Sequence, residues 1–119
     1  MAANPLRHLA DVQEINIGFR RPDGSSGSTP VWVVQVDDDV FVRSMTGPGG
    51  GWYRRLRADP NGEVRDARHV HPVYAEPVTD AGTIATVTRA YATKYAGSPF
   101  LQPFLGEESA GATLRLKPR

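Results

Sequence analysis

Cysteine is absent from this sequence, which excludes disulfides, thiolate nucleophiles and cysteine-ligated zinc. Long apolar runs are absent too. None reaches the roughly 20 residues of a membrane-spanning helix, so the chain is not expected to span a membrane. The N-terminal MAANPLRHLADVQ lacks a basic region followed by an apolar stretch, so no secretory signal is expected and a cytoplasmic home is unopposed. Charge of one sign is scarce. With a formal net charge of only +1, the chain lacks the broad positive surface that backbone binding to nucleic acid draws on. Any attraction for an anion must come from local clustering.

Catalytic signatures are equally sparse. There is no G-x-S-x-G elbow, no Walker loop and no H-E-x-x-H, so serine hydrolase, nucleoside triphosphatase and zinc peptidase chemistry lack their usual support. The acidic residues Asp37 to Asp39 crowd a turn, and Glu107-Glu108 sit in an expected loop, without the constellation that paired-carboxylate catalysis needs. His69 and His71 share a strand face, but no third ligand is signalled, so no metal site is expected. No catalytic residue is assigned.

The 119 residues suit one domain with a modest core, and neither repeats nor a second boundary divide residues 1–119. Residues 12–19, VQEINIGF, read as a strand with Ile15, Ile17 and Phe19 on one face. RRPDGSSGSTP follows as a loop. VWVVQV at 31–36 and VFVRSM at 40–45 form a hairpin about an acidic turn, with Trp32, Val34 and Val36 on one face and Phe41 opposite. Residues 63–78 read as one bent strand or two short ones, and ATLRLK at 112–117 as a last strand.

Two helices are expected. A short one spans 52–58, with Trp52 and Leu56 sharing a face and Arg54, Arg55 and Arg57 around the other sides. A long one spans about 80–95, with Thr79 as its cap, the stripe Ile84, Val87 or Thr88, Tyr91 and Tyr95, and Gly97 and Pro99 as its stop. SPFLQPFLGEESAGA reads as a connection. The fold class is therefore mainly β with α: a small antiparallel barrel with one long and one short helix.

One stretch carries candidate chemistry. In FVRSMTGPGGGWYRRL, residues 41–56, a strand end presents Arg43 and Ser44, glycines free the backbone to turn its amides toward an anion, and a helix start follows with Trp52, Arg54 and Arg55. These residues suit a phosphate with a flat aromatic beside it. A tight loop with a solvated basic edge is the competing reading. Residues 43–68 are locally basic, holding Arg43, Arg54, Arg55, Arg57, Arg65 and Arg68 against Asp59, Glu63 and Asp66.

The order of GFRRPDGSSGSTPVWVVQVDDDVFVRSMTGPGGGWYRRLRADPNGEV, residues 18–64, together with the tail AYATKYAGSPFLQPFLGEESAGATLRLKPR, resembles a small uncharacterised bacterial family related to the split β-barrel flavin-binding superfamily. That superfamily includes pyridoxamine-phosphate-oxidase-like proteins and deazaflavin-dependent nitroreductases. The resemblance implies a split barrel, a homodimer with the cofactor near its interface, FMN or a deazaflavin as cofactor, and hydride or electron-pair transfer as chemistry. It implies that Arg43 and Ser44 contact the phosphate or ring edge, with Trp52, Arg54 and Arg55 around the cofactor. It also implies that the loop from Arg20 to Thr29 corresponds to a phosphate-gripping RRSG loop. Here the sequence departs: PDGS separates Arg20-Arg21 from Ser26-Gly27, and Ser28-Thr29 stand where a basic residue is expected. The alternative is a cofactor-free homodimeric binding or structural protein of the same fold.

Overall fold

The computed structural model describes residues 5–67 and 69–119. Arg68 of the basic cluster lies outside the described residues. Six antiparallel strands close into a barrel in the order β1-β2-β3-β6-β5-β4. They are β1 (Glu14–Arg20), β2 (Ser26–Val36), β3 (Asp39–Arg43), β4 (Asn61–Asp66), β5 (His69–Pro77) and β6 (Thr113–Pro118).

Side-chain alternation along these strands builds two cores. Ile15 and Ile17 of β1, Val31 and Val33 of β2, Val40 and Val42 of β3, and Leu114 and Leu116 of β6 fill the barrel interior. The opposite face of β2 and β3, with Val34 paired across to Phe41 in register, forms a second cluster against Val87, Tyr91 and Tyr95. The expected face of Trp32, Val34, Val36 and Phe41 is thus the one that receives the long helix.

Among the described residues there are four α-helices: α1 (Gly51–Ala58), α2 (Ala81–Lys94), α3 (Gln102–Leu105) and α4 (Glu107–Ala110). This corrects the expectation of one long and one short helix. The segment read as a plain connection folds into α3 and α4 because Pro103 occupies the first turn of α3, where a missing N–H costs nothing, and Gly106 separates the two turns. Strand limits also move. Ser26–Pro30 belongs to β2, each residue opposite one of β1 from Arg20 back to Asn16. Asn61 and Gly62, residue types that ordinarily turn the chain, begin β4. Residues 63–78 contain two strands, with Ala67 at φ 51 beside the reversal.

Asp80, not Thr79, caps α2. Its carboxylate accepts from the Thr83 amide at 2.8 Å and from Thr83 Oγ1 at 2.6 Å. Those bonds hold its pKa below the ordinary value of 3.8. The folded form therefore favours the carboxylate, and its contribution is complete above the unfolded pKa and lost as pH falls through the folded one. Asp80→Ala is expected to lower the melting temperature at neutral pH and to bring its acid-unfolding curve closer to the parent's below pH 3.8, a comparison that circular dichroism reads directly.

The N-terminal 3-10 turn, Arg7–Asp11, sends Leu6 and Leu9 into the barrel interior. Lys94 Nζ at the end of α2 fastens it, donating to Val12 O and Val33 O, each at 2.6 Å, and to Leu9 O at 3.2 Å. His8 Nε2 lies 2.6 Å from Asp66 Oδ2, and the His69 and His71 rings stack at 6.1 Å. Among the described residues, no trio of His, Asp or Glu is arranged to hold a metal ion. No helix among the described residues is long and apolar enough to cross a membrane.

Candidate functional site

β3 runs into the glycine-rich stretch with Arg43 and Ser44 both 1% exposed. The Ser44 amide donates to Ala112 O at 3.3 Å, and Ser109 Oγ donates to Ser44 O at 2.8 Å, fixing the strand end against the start of β6. The backbone then reverses: Gly47 N bonds Ser44 O and Gly50 N bonds Gly47 O, at 3.1 and 3.0 Å. Gly47 stands at φ 80, a conformation that favours glycine. At Gly50 the φ of −62 is ordinary, but a Cβ there would collide with Ser44 Oγ. This glycine lets the loop lie flat on the serine.

α1 begins immediately afterwards without a side-chain cap. Its first intrahelical bond runs from Arg54 N to Gly50 O, leaving the amides of Gly51, Trp52 and Tyr53 without an intrahelical acceptor. Such a start attracts negative charge.

Arg43 lies beneath this loop. Nε donates to Thr113 Oγ1 at 2.8 Å, one terminal nitrogen to Phe104 O at 3.0 Å, and the other to Ile84 O at 2.8 Å. Its guanidinium carbon also lies 5.6 Å from the Tyr91 ring centre. Every named partner is neutral, and burial pushes the Arg43 pKa down. One side chain thereby joins β3 to β6, α2 and α3 while placing positive charge behind the loop. Burial likewise pushes Tyr91 up, and Tyr95 up to about 12. Both phenols stay protonated near neutrality, as their bonds to Trp32 O at 3.0 Å and Gln13 O at 2.7 Å require.

A cleft of about 350 Å³ opens over these groups, lined by Trp32, Arg43, Ser44, Met45, Thr46, Gly50, Gly51, Trp52, Phe100 and Phe104, with Glu14, Thr29, Pro30 and Val31 completing its wall. Its size falls within the range of small-molecule sites. Trp32 is held by stacking on Tyr95 at 4.0 Å and on Phe104 at 4.8 Å. Three wider grooves of about 420 to 530 Å³ have at most one aromatic lining residue each. The combination of aromatic walls, backbone donors and buried positive charge distinguishes the cleft chemically.

Of the residues singled out from sequence, Arg43, Ser44 and Trp52 meet in this cleft. Arg54 does not; it lines a separate groove with Arg57. Arg55 is half-buried and lines neither. From the loop between Arg20 and Thr29, only Thr29 reaches the cleft. Arg21 instead donates to Ser26 O at 2.6 Å and lies 5.7 Å from the Phe19 ring centre, so it braces its own hairpin. Arg20, Ser26 and Gly27 border a polar pocket of about 50 Å³, too small for a cofactor ring.

Sequence reasoning did not assign Glu14, Trp32, Met45, Phe100 or Phe104 to the site. Phe100 carried a readable signal: an aromatic residue within a proline-punctuated segment has little local packing to explain it, and it is 67% exposed.

No curated protein sequence matches the chain significantly. Among solved structures, an F420 reductase aligns over all of the chain and 96% of its own length, with a TM-score of 0.64 and 15% identity. A conserved hypothetical protein from Mycobacterium tuberculosis aligns over 98% of this chain and 80% of its own, with a TM-score of 0.70 and 14% identity. A protein described as a domain-swapped dimer aligns over 90% and 81%, with a TM-score of 0.64 and 14% identity. At these identities the likeness establishes the split-barrel fold and nothing finer. A family model described as "Uncharacterized protein conserved in bacteria (DUF2255)" matches residues 5–116, and the chain belongs to that family.

Proposed function

We propose that the aromatic cleft binds a planar ring carrying a single phosphate, of the flavin class, and that the protein is an oxidoreductase using FMN or a deazaflavin. The observation that carries this reading is the meeting of Trp32, Trp52, Phe100 and Phe104 with the uncapped start of α1 above buried Arg43 and Ser44. The aromatic walls suit the ring. Amides at Gly51 and Trp52 and the exposed hydroxyl of Thr46, with Ser44 Oγ beneath it, suit the phosphate. Glu14 at the rim and the turning away of Arg54 favour one phosphate over a multiply charged tail. When bound, such a cofactor supplies hydride or electron-pair exchange. The chain's own residues place the ring, remove water from its face and neutralise its phosphate; none is assigned as acid or base.

The similarity to an F420 reductase supports this reading at the level of fold. We extend the proposal to a homodimer, because Phe100 and Met45 at the cleft rim are 67% and 48% exposed and because one similar structure is a domain-swapped dimer. The same exposed rim is what favours the alternative of a cofactor-free dimeric binding protein. Titration with FMN and with a deazaflavin, followed by tryptophan fluorescence, separates the two. Saturable binding, weakened about tenfold by Trp52→Ala through lost stacking, is expected. No saturation by either compound rejects the cofactor. Sedimentation of the same sample should show a species of twice the 13.0 kDa chain mass; a 13.0 kDa species contradicts the dimer.

A further inference from the structure

The arginines of this chain are almost all engaged. Arg7, Arg20, Arg65 and Arg115 pair with carboxylates. Arg21, Arg43, Arg89 and Arg119 donate to hydroxyls or carbonyls. Among the described residues, the guanidinium groups without a hydrogen-bond or ion-pair partner are those of Arg54, Arg55 and Arg57, all on α1.

Arg54 and Arg57 stand three residues apart and therefore on one side of the helix. Both line a groove of about 530 Å³ between α1 and the segment joining β5 to α2. Its remaining walls are Pro48, Tyr53, Pro77, Val78, Thr79 and Gly111, and no carboxylate is among them. Two guanidinium groups on one face repel each other unless a counter-charge lies between them, and their planar forks suit bidentate capture of oxyanions.

We infer that this groove is an oxyanion site for a phosphate group, gripped by Arg54 and Arg57 with the Thr79 hydroxyl beside them. The inference stands apart from ring binding in the aromatic cleft. Two sources share the chemistry: a free phosphate or the phosphate end of a ring ligand.

The test is titration of the intact protein with inorganic phosphate, read by the backbone amide shifts of residues 54–58 and 79, which lie outside the aromatic cleft. Both arginines are exposed, so Arg54→Gln and Arg57→Gln are expected to fold normally. Saturable shifts are expected, with affinity reduced about tenfold in the double variant and unchanged in Arg89→Gln, a change of an arginine remote from this groove. FMN displacing phosphate where riboflavin does not assigns the site to the phosphate of a ring ligand and moves that phosphate from the start of α1 to this groove; displacement by neither assigns it to a free phosphate and leaves the placement at α1 intact. Both outcomes support the site. Absence of saturation up to about 20 mM, or equal losses in the groove and Arg89 variants, overturns it, whether or not riboflavin binds the cleft.

Discussion

Arg43→Ala is expected to destabilise the fold by about 2 to 5 kcal/mol, through lost charge-assisted hydrogen bonds to buried neutral acceptors and the cavity left behind. The substitution strands Ile84 O, Phe104 O and Thr113 Oγ1, which now accept from the guanidinium at 2.8 to 3.0 Å. Thr88 Oγ1 also donates to Ile84 O at 3.0 Å, and Thr113 Oγ1 donates to Ala110 O at 2.8 Å, so these groups keep part of their bonding and moderate the loss. The space left beneath α2 and α3 adds to it. Arg43→Lys keeps the charge but cannot reproduce three diverging donors, and an intermediate loss is expected. Denaturant unfolding measures both. A loss below about 1 kcal/mol in the alanine variant would show that the guanidinium does not tie these elements together.

A comparably local effect is expected at Gly50. Its backbone is extended, at φ −62 and ψ 139, so alanine meets no conformational penalty there. The obstacle is steric: the new methyl would meet Ser44 Oγ first and Thr46 Oγ1 next, at 3.0 Å. Gly50→Ala should cost about 1 to 3 kcal/mol through overpacking. In a Ser44→Ala background the obstructing oxygen is gone, and the cost should fall below about 1 kcal/mol, a coupling that a double-mutant cycle isolates. Equal costs in the two backgrounds would mean that contact with Ser44 does not explain the glycine.

Local chemistry made much of the barrel legible. The inward set Ile15 and Ile17, and the helix-facing set Trp32, Val34 and Phe41, follow from strand alternation alone. Ser26–Pro30 was obscured because serine, glycine and proline ordinarily signal turns. Pairing with β1 overrides that signal, and β3 pairs with β2 only through Val33–Val36, so Pro30 has no β3 partner awaiting its missing N–H. Likewise α3 is a single turn whose packing, through buried Phe104, depends on residues far away in sequence.

The candidate site was legible as a neighbourhood rather than as a constellation. The strand end, glycines and Trp52 could be found by reading residues 41–52, because each depends on local backbone chemistry. The engagement of Arg43 could not: its partners Ile84, Phe104 and Thr113 are 41, 61 and 70 residues away. Nor could the sequence distinguish the side of α1 that joins the cleft from the side bearing Arg54 and Arg57, since that division depends on how β5 and the start of α2 pack alongside.

On the proposed function, a flavin-type ring lies between Trp52 and the aromatic residues of α3 and its approach. Intermolecular nuclear Overhauser effects from FMN ring protons to assigned side chains test it most directly. Contacts to Trp52, Met45 and Phe100 are the predicted result. Saturable binding with contacts confined to Ala90 and Thr93 in the groove along α2, or no ring contacts at all, would contradict the account.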